Sequence, residues 1–329
     1  MHNDHRLELI NEWLPTVIGT TDFTINSASS DASFRRYFRV RVEDKTWIVM
    51  DAPPTQEDIS PFITIATFLY QHNIHVPKVD AVNHESGFLL LSDFGPHSYL
   101  DELTESSADT MYQSAIASLL QIQQCPLNNE IKLPVYDHSL LQRELMLFPD
   151  WYLSRHLQTA VPDFLPNTFE LLVNNALEQP QVLVHRDYHS RNLMHTTHNS
   201  PGIIDFQDAV VGPITYDLVS LLRDCYISWP QATIEKWIQN YFNQAQKLAL
   251  LPAISIEQFT KWFDLMGLQR HIKVLGIFSR LNYRDNKANY LNDLPLTLHY
   301  VQLISAKYPE FSELSDFLEQ QSHTTAASS

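Results

Sequence analysis

A chain of 329 residues that is 44% hydrophobic and 11% aromatic has enough apolar side chain to bury two cores, which excludes a disordered or fibrous protein. Its net charge of −16 repels nucleic acid and anionic membrane surfaces, and its 2 cysteines are too few for a disulfide framework or a zinc knuckle. No apolar run reaches the roughly 18 residues of a membrane span, and the opening MHNDHRLELINEWL has no signal-peptide core, so the composition reads as a cytoplasmic protein with no obligate protein partner.

Short strand patterns dominate from about Phe23 to Asp93. FTI (Phe23–Ile25), the alternating FRVRV (Phe38–Val42), WIVM (Trp47–Met50) and FLLL (Phe88–Leu91) each have the length and side-chain type of a strand. One helix is expected after the Pro53-Pro54 stop, with Phe62, Ile65, Ala66, Leu69 and Tyr70 on one face. From Ser107 onward the pattern is helical, beginning with Met111, Ala115, Leu119 and Ile122 along one stripe. The exception is 182–205, where VLVH, NLMH and GIID read as short strands and Asn199, Ser200, Pro201 and Gly202 supply turn chemistry. Beyond it, Asp217 opens an amphipathic helix carrying Leu218, Leu221, Leu222 and Cys225. The expectation is an α+β chain: a small β-rich lobe over 1–94, a large mainly α-helical lobe over 95–321, and a disordered tail over 322–329.

Polar chemistry concentrates in one place. Val184–Asp208, VHRDYHSRNLMHTTHNSPGIIDFQD, holds 3 acids and 4 histidines in a chain that is 18% charged. A metal-dependent hydrolase site, a phosphoryl-transfer site and a hairpin with a polar rim all fit such a run. If the turn is centred between His198 and Asn199, antiparallel pairing sets Asn192 opposite Asp205. Residues so opposed have Cβ atoms about 5 Å apart, and an amide oxygen with a carboxylate can share a hard cation such as Mg2+. His185, Asp187 and His189 alternate as metal ligands on a strand do, but no further His or Cys at ligand spacing completes a tetrahedral set.

HRDYHSRN has the H-x-D-x-x-x-x-N spacing of kinase catalytic loops, and IIDF supplies an acid on the strand that follows. Together with DASFRRYF (Asp31–Phe38), VMDAPP (Val49–Pro54), FLLLSDFG (Phe88–Gly95) and IDFQDAVVGPITYDLVSLLRDCY (Ile204–Tyr226), it resembles the kinase-like aminoglycoside and choline phosphotransferases. Within them it is most similar to the anomeric sugar kinases of cell-wall recycling. The resemblance implies a two-lobed protein-kinase-like fold and transfer of a phosphoryl group from ATP, with Mg2+, to the anomeric hydroxyl of N-acetylmuramate or N-acetylglucosamine. It makes Asp187 the base or hydroxyl-orienting group, Asn192 and Asp205 the metal ligands, His185 and Arg186 builders of the loop, and Asp217 its brace. Leu91, Ser92, Asp93 and Phe94 would face adenine.

Two departures from the family stand out. SSDASFRRYF contains no glycine where a glycine-rich loop should cover the phosphates, and TWIVMDAP has Met50 where the ATP-binding lysine is expected, with Lys45 too early. Ser33, Arg35 and Arg36 are the residues at hand for the phosphates, since a guanidinium can bind phosphate oxygens bidentately. Asp208, Arg223, Asp224 and Tyr226 are the candidates beside the sugar. Two other readings stay open: a phosphotransferase for an aminoglycoside or a choline-like molecule, and a non-catalytic nucleotide-binding pseudokinase.

Overall fold

The computed structural model describes residues 4–30, 34–128 and 130–328, with side chains described for 4–28, 34–128 and 130–321. In chain order the elements are α1 (His5–Ile18), β1 (Thr24–Ser30), β2 (Arg36–Val42), β3 (Lys45–Asp51), α2 (Ser60–Gln71), β4 (Val79–Asn83), β5 (Phe88–Ser92), α3 (Tyr99–Glu102), α4 (Ala108–Gln123), α5 (His138–Leu145) and a π-helix at Phe148–Leu157. There follow α6 (Leu165–Leu177), β6 (Gln181–Val184), β7 (Leu193–Met194), β8 (Gly202–Ile203), β9 (Val210–Pro213), α7 (Tyr216–Leu222), α8 (Gln231–Lys247), α9 (Ile256–Tyr283), α10 (Leu294–Lys307) and α11 (Ser312–Ser328). They group into two compact units, Met1–Ser98 with Leu193–Asp208, and Tyr99–Asn192 with Ala209–Ser329. The hairpin stretch thus belongs with the first unit, where the sequence reading keeps it in the second lobe. Helix α11 runs through most of the stretch 322–329 that composition reads as a tail.

The first unit is built on one antiparallel sheet in the order β1-β2-β3-β5-β4. Strand alternation brings Phe38, Val40, Val49, Phe88 and Leu90 to one core, which Ile10 and Leu14 of α1 complete. Neither α1 nor β4 is among the elements expected from sequence. The signals for α1 are local: Asp4 caps it by accepting the Leu7 N–H at 3.2 Å, and Gly19 ends it at φ 78, a left-handed conformation that glycine adopts without strain. On α2 the buried face is Phe62, Ile65, Ala66, Phe68 and Leu69, while Tyr70 is 52% exposed. Steps of 100° per residue carry Tyr70 off the edge of the stripe and bring Phe68 into it.

The hairpin β7–β8 pairs Leu193 with Ile203 and Met194 with Gly202. It is therefore centred on His198, one step from the expected centre, and it does not pair Asn192 with Asp205. The ladder stops after Met194 and Gly202, because the next rung would oppose His195 and Pro201. Pro201 has no N–H to give, and the His195 N–H goes instead to the His97 carbonyl at 2.9 Å. Other contacts of the first unit hold the hairpin: Ile203 N–H donates to the His75 carbonyl at 2.8 Å, and the Phe94 ring lies so close to Gly202 that a Cβ there would sit 2.5 Å from it.

In the second unit α9 is buried almost continuously from Trp262 to Gly276. Ser255 caps it by accepting the Gln258 N–H at 3.3 Å. The segment entering the π-helix crosses α9 at Gly276, where an added Cβ would lie 2.4 Å from the Leu147 backbone. Helix α7 is buried at all seven positions, so the expected amphipathic face is corrected to a helix enclosed on every side, and Cys225 lies beyond its end. β6 pairs with β9 in antiparallel register, Val184 opposite Val210. Among the described residues no helix is long and apolar enough to cross a membrane.

The Gly276 crossing gives a direct test. Gly276→Ala should destabilise the chain by about 1–3 kcal/mol, as an overpacked backbone contact does, and be read as a lower urea midpoint.

Candidate active site

β6 ends at Val184, and the next eight residues, His185 to Asn192, form a loop whose first turn is fixed by a single side chain. Asp217, in the first turn of α7 and 0% exposed, accepts the His185 N–H at 2.6 Å and the Arg186 N–H at 2.9 Å. The chain leaves this clamp through Arg186 in the left-handed region, at φ 79. Such a conformation costs a non-glycine residue about 1–3 kcal/mol, and charge-assisted bonds to a buried acceptor offset it. Burial pushes the Asp217 carboxyl up to about 6, against the lowering effect of the His185 charge and of both N–H donors.

From this turn the Arg186 side chain reaches Glu144, a buried acid of α5. Glu144 also takes Lys273 of α9 at 2.9 Å and the Tyr136 hydroxyl, and Lys273 donates to the Tyr216 hydroxyl at 3.0 Å. Burial alone would raise the Glu144 carboxyl, but the charges of Lys273 and Arg186 outweigh it and hold the group below its usual range. The sequence reading names Arg186 but misses Glu144 and Lys273. The available signal is a lone charge in an apolar run, as in HIKVLGIF, which must find a partner once buried.

The remainder of the loop folds on itself. The Asp187 carbonyl accepts the His189 N–H at 3.0 Å and the Asn192 Nδ2 at 3.0 Å, and the Asn192 N–H closes onto the His189 carbonyl at 2.9 Å. The Tyr188 hydroxyl donates to the Ala115 carbonyl at 2.8 Å and ties the loop to α4. Asp187 itself is only partly buried. Desolvation would raise its carboxyl, but His189, Lys273, Arg270 and Arg186 together hold it below the usual carboxylate range. It is a carboxylate at neutral pH.

The sugar-side candidates divide. Asp224, 1% exposed, accepts Ser190 N–H at 2.9 Å, Ser190 Oγ at 2.5 Å and Tyr226 N–H at 3.1 Å, so it braces the far end of the loop. The Tyr226 ring stands edge-on to His189, centroids 5.2 Å apart, and carries the Arg191 guanidinium at 3.5 Å. Arg223 is 1% exposed with its charge matched by Asp264 at 2.6 Å through Nη2, which holds it within the interior, though its Nε and Nη1 have no hydrogen-bond partner. Asp208 is exposed at a turn of the first unit.

The other candidates also belong to the first unit. Asp205 is left-handed, at φ 66, and its Oδ1 accepts the Gln207 amide at 2.8 Å. Arg35 bonds Glu57 at 3.4 Å and is close enough to Asp205 for their charges to interact. Arg36 instead turns to the end of β3, where it pairs with Asp51 at 2.5 Å and with Asp4, while Arg6 takes the other Asp51 oxygen at 2.5 Å. Met50 is buried. In β5, Leu91 opposes Ile48 and Val79 in the sheet, and Ser92 accepts the Lys78 N–H at 2.9 Å. Asp93 is bound by Arg39 at 2.6 Å and by the Gly95 N–H at 2.9 Å. The Phe94 ring packs on His75, with centroids 4.5 Å apart. Ser33 lies outside the described residues.

Residues 24–254 match the model of the phosphotransferase enzyme family. The chain belongs to that family. An N-acetylmuramate/N-acetylglucosamine kinase of Pseudomonas putida is 45% identical over 301 residues, 90% of this phosphotransferase and 88% of the relative. An ethanolamine kinase of Plasmodium vivax shares the fold with a TM-score of 0.66 at 13% identity, over 95% of this chain and 92% of that one. An ADP-bound aminoglycoside phosphotransferase does so with a TM-score of 0.56 at 15% identity, over 91% and 97%. The α+β, protein-kinase-like architecture expected from sequence is thereby shown.

The Asp217 clamp predicts a pH signature for the phosphotransferase. With its carboxyl raised from 3.8 to about 6, Asp217 holds in the native chain a proton that the unfolded chain releases between those values. Its contribution to stability is complete below the lower value and falls as pH rises through the upper one. Urea midpoints from pH 4 to 7 should show this decline in the wild type and lose it in Asp217→Asn. That variant should also be less stable by about 1–3 kcal/mol, because an amide nitrogen faces a buried N–H.

Proposed function

We propose that this phosphotransferase moves the terminal phosphoryl group of ATP to the anomeric hydroxyl of N-acetylmuramate or N-acetylglucosamine, giving the sugar 1-phosphate in cytoplasmic peptidoglycan recycling. The observation that carries the reading is the 45% identity to a relative named for both sugars, over nearly the whole of each chain. The kinase name of that relative and the ADP bound by the aminoglycoside phosphotransferase of the same fold support ATP as the donor.

Asp187 accepts the hydrogen of the attacking hydroxyl. Its lowered pKa suits this, because phosphoryl transfer passes through a loose transition state in which positioning matters more than base strength. An anomeric hydroxyl is also more acidic than an ordinary alcohol, so a weak base suffices. Asn192 turns its amide nitrogen onto the Asp187 carbonyl, which makes the amide oxygen the ligand atom. With Asp205 this is an all-oxygen donor pair, the chemistry that suits Mg2+ rather than zinc. Bound Mg2+ supplies charge neutralisation to the phosphate oxygens. Arg35, charged and near Asp205, takes the role left by the missing lysine, while Arg36 supports Asp51. Leu91 to Phe94 offer backbone groups to adenine. His185, Arg186 and Asp217 hold the loop, and Asp224 and Tyr226 shape its sugar side.

Phosphorus NMR of the protein with ATP, Mg2+ and either sugar should show a new sugar 1-phosphate resonance that Asp187→Asn loses while its fold is retained. A phosphate signal appearing only with an aminoglycoside or an amino alcohol would replace the sugar reading. On the nucleotide side, Arg35→Ala should raise the KM for ATP about 10-fold or more, as loss of a charge-assisted contact does, and Arg36→Ala should act mainly through stability. Equal KM values in both variants would remove Arg35 from the phosphate site.

A further inference from the structure

Among the described residues three cations are buried: Arg223 at 1%, Arg270 at 4% and Lys273 at 7% exposure. Two of them have a carboxylate. Arg223 meets Asp264 at 2.6 Å and Lys273 meets Glu144 at 2.9 Å. Arg270, on α9 between them in sequence, forms no such pair; its hydrogen bond goes from Nη1 to the Cys225 Sγ at 3.6 Å, and a thiol is a weak acceptor. Asp224 next to that cysteine is already engaged by Ser190 and the Tyr226 N–H. The charges of Asp187 and Asp224 act on Arg270 only from beyond ion-pair distance, so its guanidinium is left without a directly bonded carboxylate, a setting suited to an arriving anion.

The position says which anion to consider. Cys225 and Asp224 connect Arg270 to the loop at Ser190, and the Arg270 charge acts on both Asp187 and His189. His189 is 9% exposed, and its Nδ1 is buried with no hydrogen-bond partner. Beside the proposed hydroxyl acceptor there are thus a five-donor cation and an unmatched ring nitrogen.

We propose that Arg270 selects the acidic sugar by receiving the lactyl carboxylate of N-acetylmuramate, with His189 Nδ1 donating to the same group. This rests on the sugar kinase reading above and adds the residue that tells the two sugars apart. N-acetylglucosamine carries no carboxylate, so Arg270 contributes to its binding only as a polar wall. A planar guanidinium can hold both carboxylate oxygens, and in a site of low dielectric the pair is strong. The transferring phosphoryl group is the other possible source of anionic oxygen, and it is common to both sugars.

The test is a set of steady-state measurements on the full chain. Wild type should discriminate against the neutral lactamide analogue of N-acetylmuramate by about 10- to 100-fold in kcat/KM, the worth of a charged hydrogen-bonded pair. Arg270→Met should erase that discrimination and lose kcat/KM on N-acetylmuramate by the same factor beyond any loss on N-acetylglucosamine, with Arg270→Lys intermediate. Equal losses on both sugars with a raised KM for ATP would assign Arg270 to the phosphoryl group, and equal losses with an unchanged KM would make it structural. Wild type that treats acid and amide alike overturns the proposal without any variant. Folded wild type that phosphorylates neither sugar overturns instead the function on which the proposal rests.

Discussion

One buried carboxylate organises the second unit. Asp217 accepts two successive backbone N–H groups at a turn where Arg186 is left-handed. That backbone turn aims the Arg186 side chain at Glu144 and directs the chain into the compact loop from Asp187 to Asn192. The same demand explains why α7 is enclosed on all sides: an acid that must stay dry and still on a seven-residue helix needs protein around the whole of it.

Charge in the interior of this unit is arranged for position more than for stability. Glu144 with Lys273 and Arg186, and Asp264 with Arg223 and Lys307, are ion pairs whose mutual attraction roughly offsets their desolvation. What they secure is geometry, because removing either partner leaves an uncompensated charge. The first unit repeats the pattern at Asp51, a fully buried acid held by Arg6 and Arg36 one residue from where a kinase lysine would stand.

Much of this was legible in residue order. Alternation located β2, short apolar runs located β3 and β5, and the H-x-D-x-x-x-x-N spacing drew attention to Asp187 and Asn192, with Asp217 added by the family resemblance, before any contact was seen. What escaped depends on partners remote in sequence. Arg223 reads as a substrate contact until Asp264, 41 residues away, is found to match it. The hairpin register differs by one, and its short ladder ends where His97 takes the His195 N–H, a remote contact that turn chemistry alone cannot foretell. β4, VDAVN, is too polar and short to stand out, and α1 hides in a stretch whose acids drew attention only as the wrong composition for a leader.

The two cysteines carry a practical corollary. Both are buried; desolvation pushes the Cys125 thiol up to about 11, and at Cys225 it outweighs the opposing Arg270 charge. Neither sulfur is an available thiolate near neutral pH, so the native chain is close to silent toward maleimides and iodoacetamides. A cysteine introduced on each unit could therefore take a fluorophore or spin label with the wild-type thiols left in place, making this enzyme a ready host for distance measurements through its catalytic cycle.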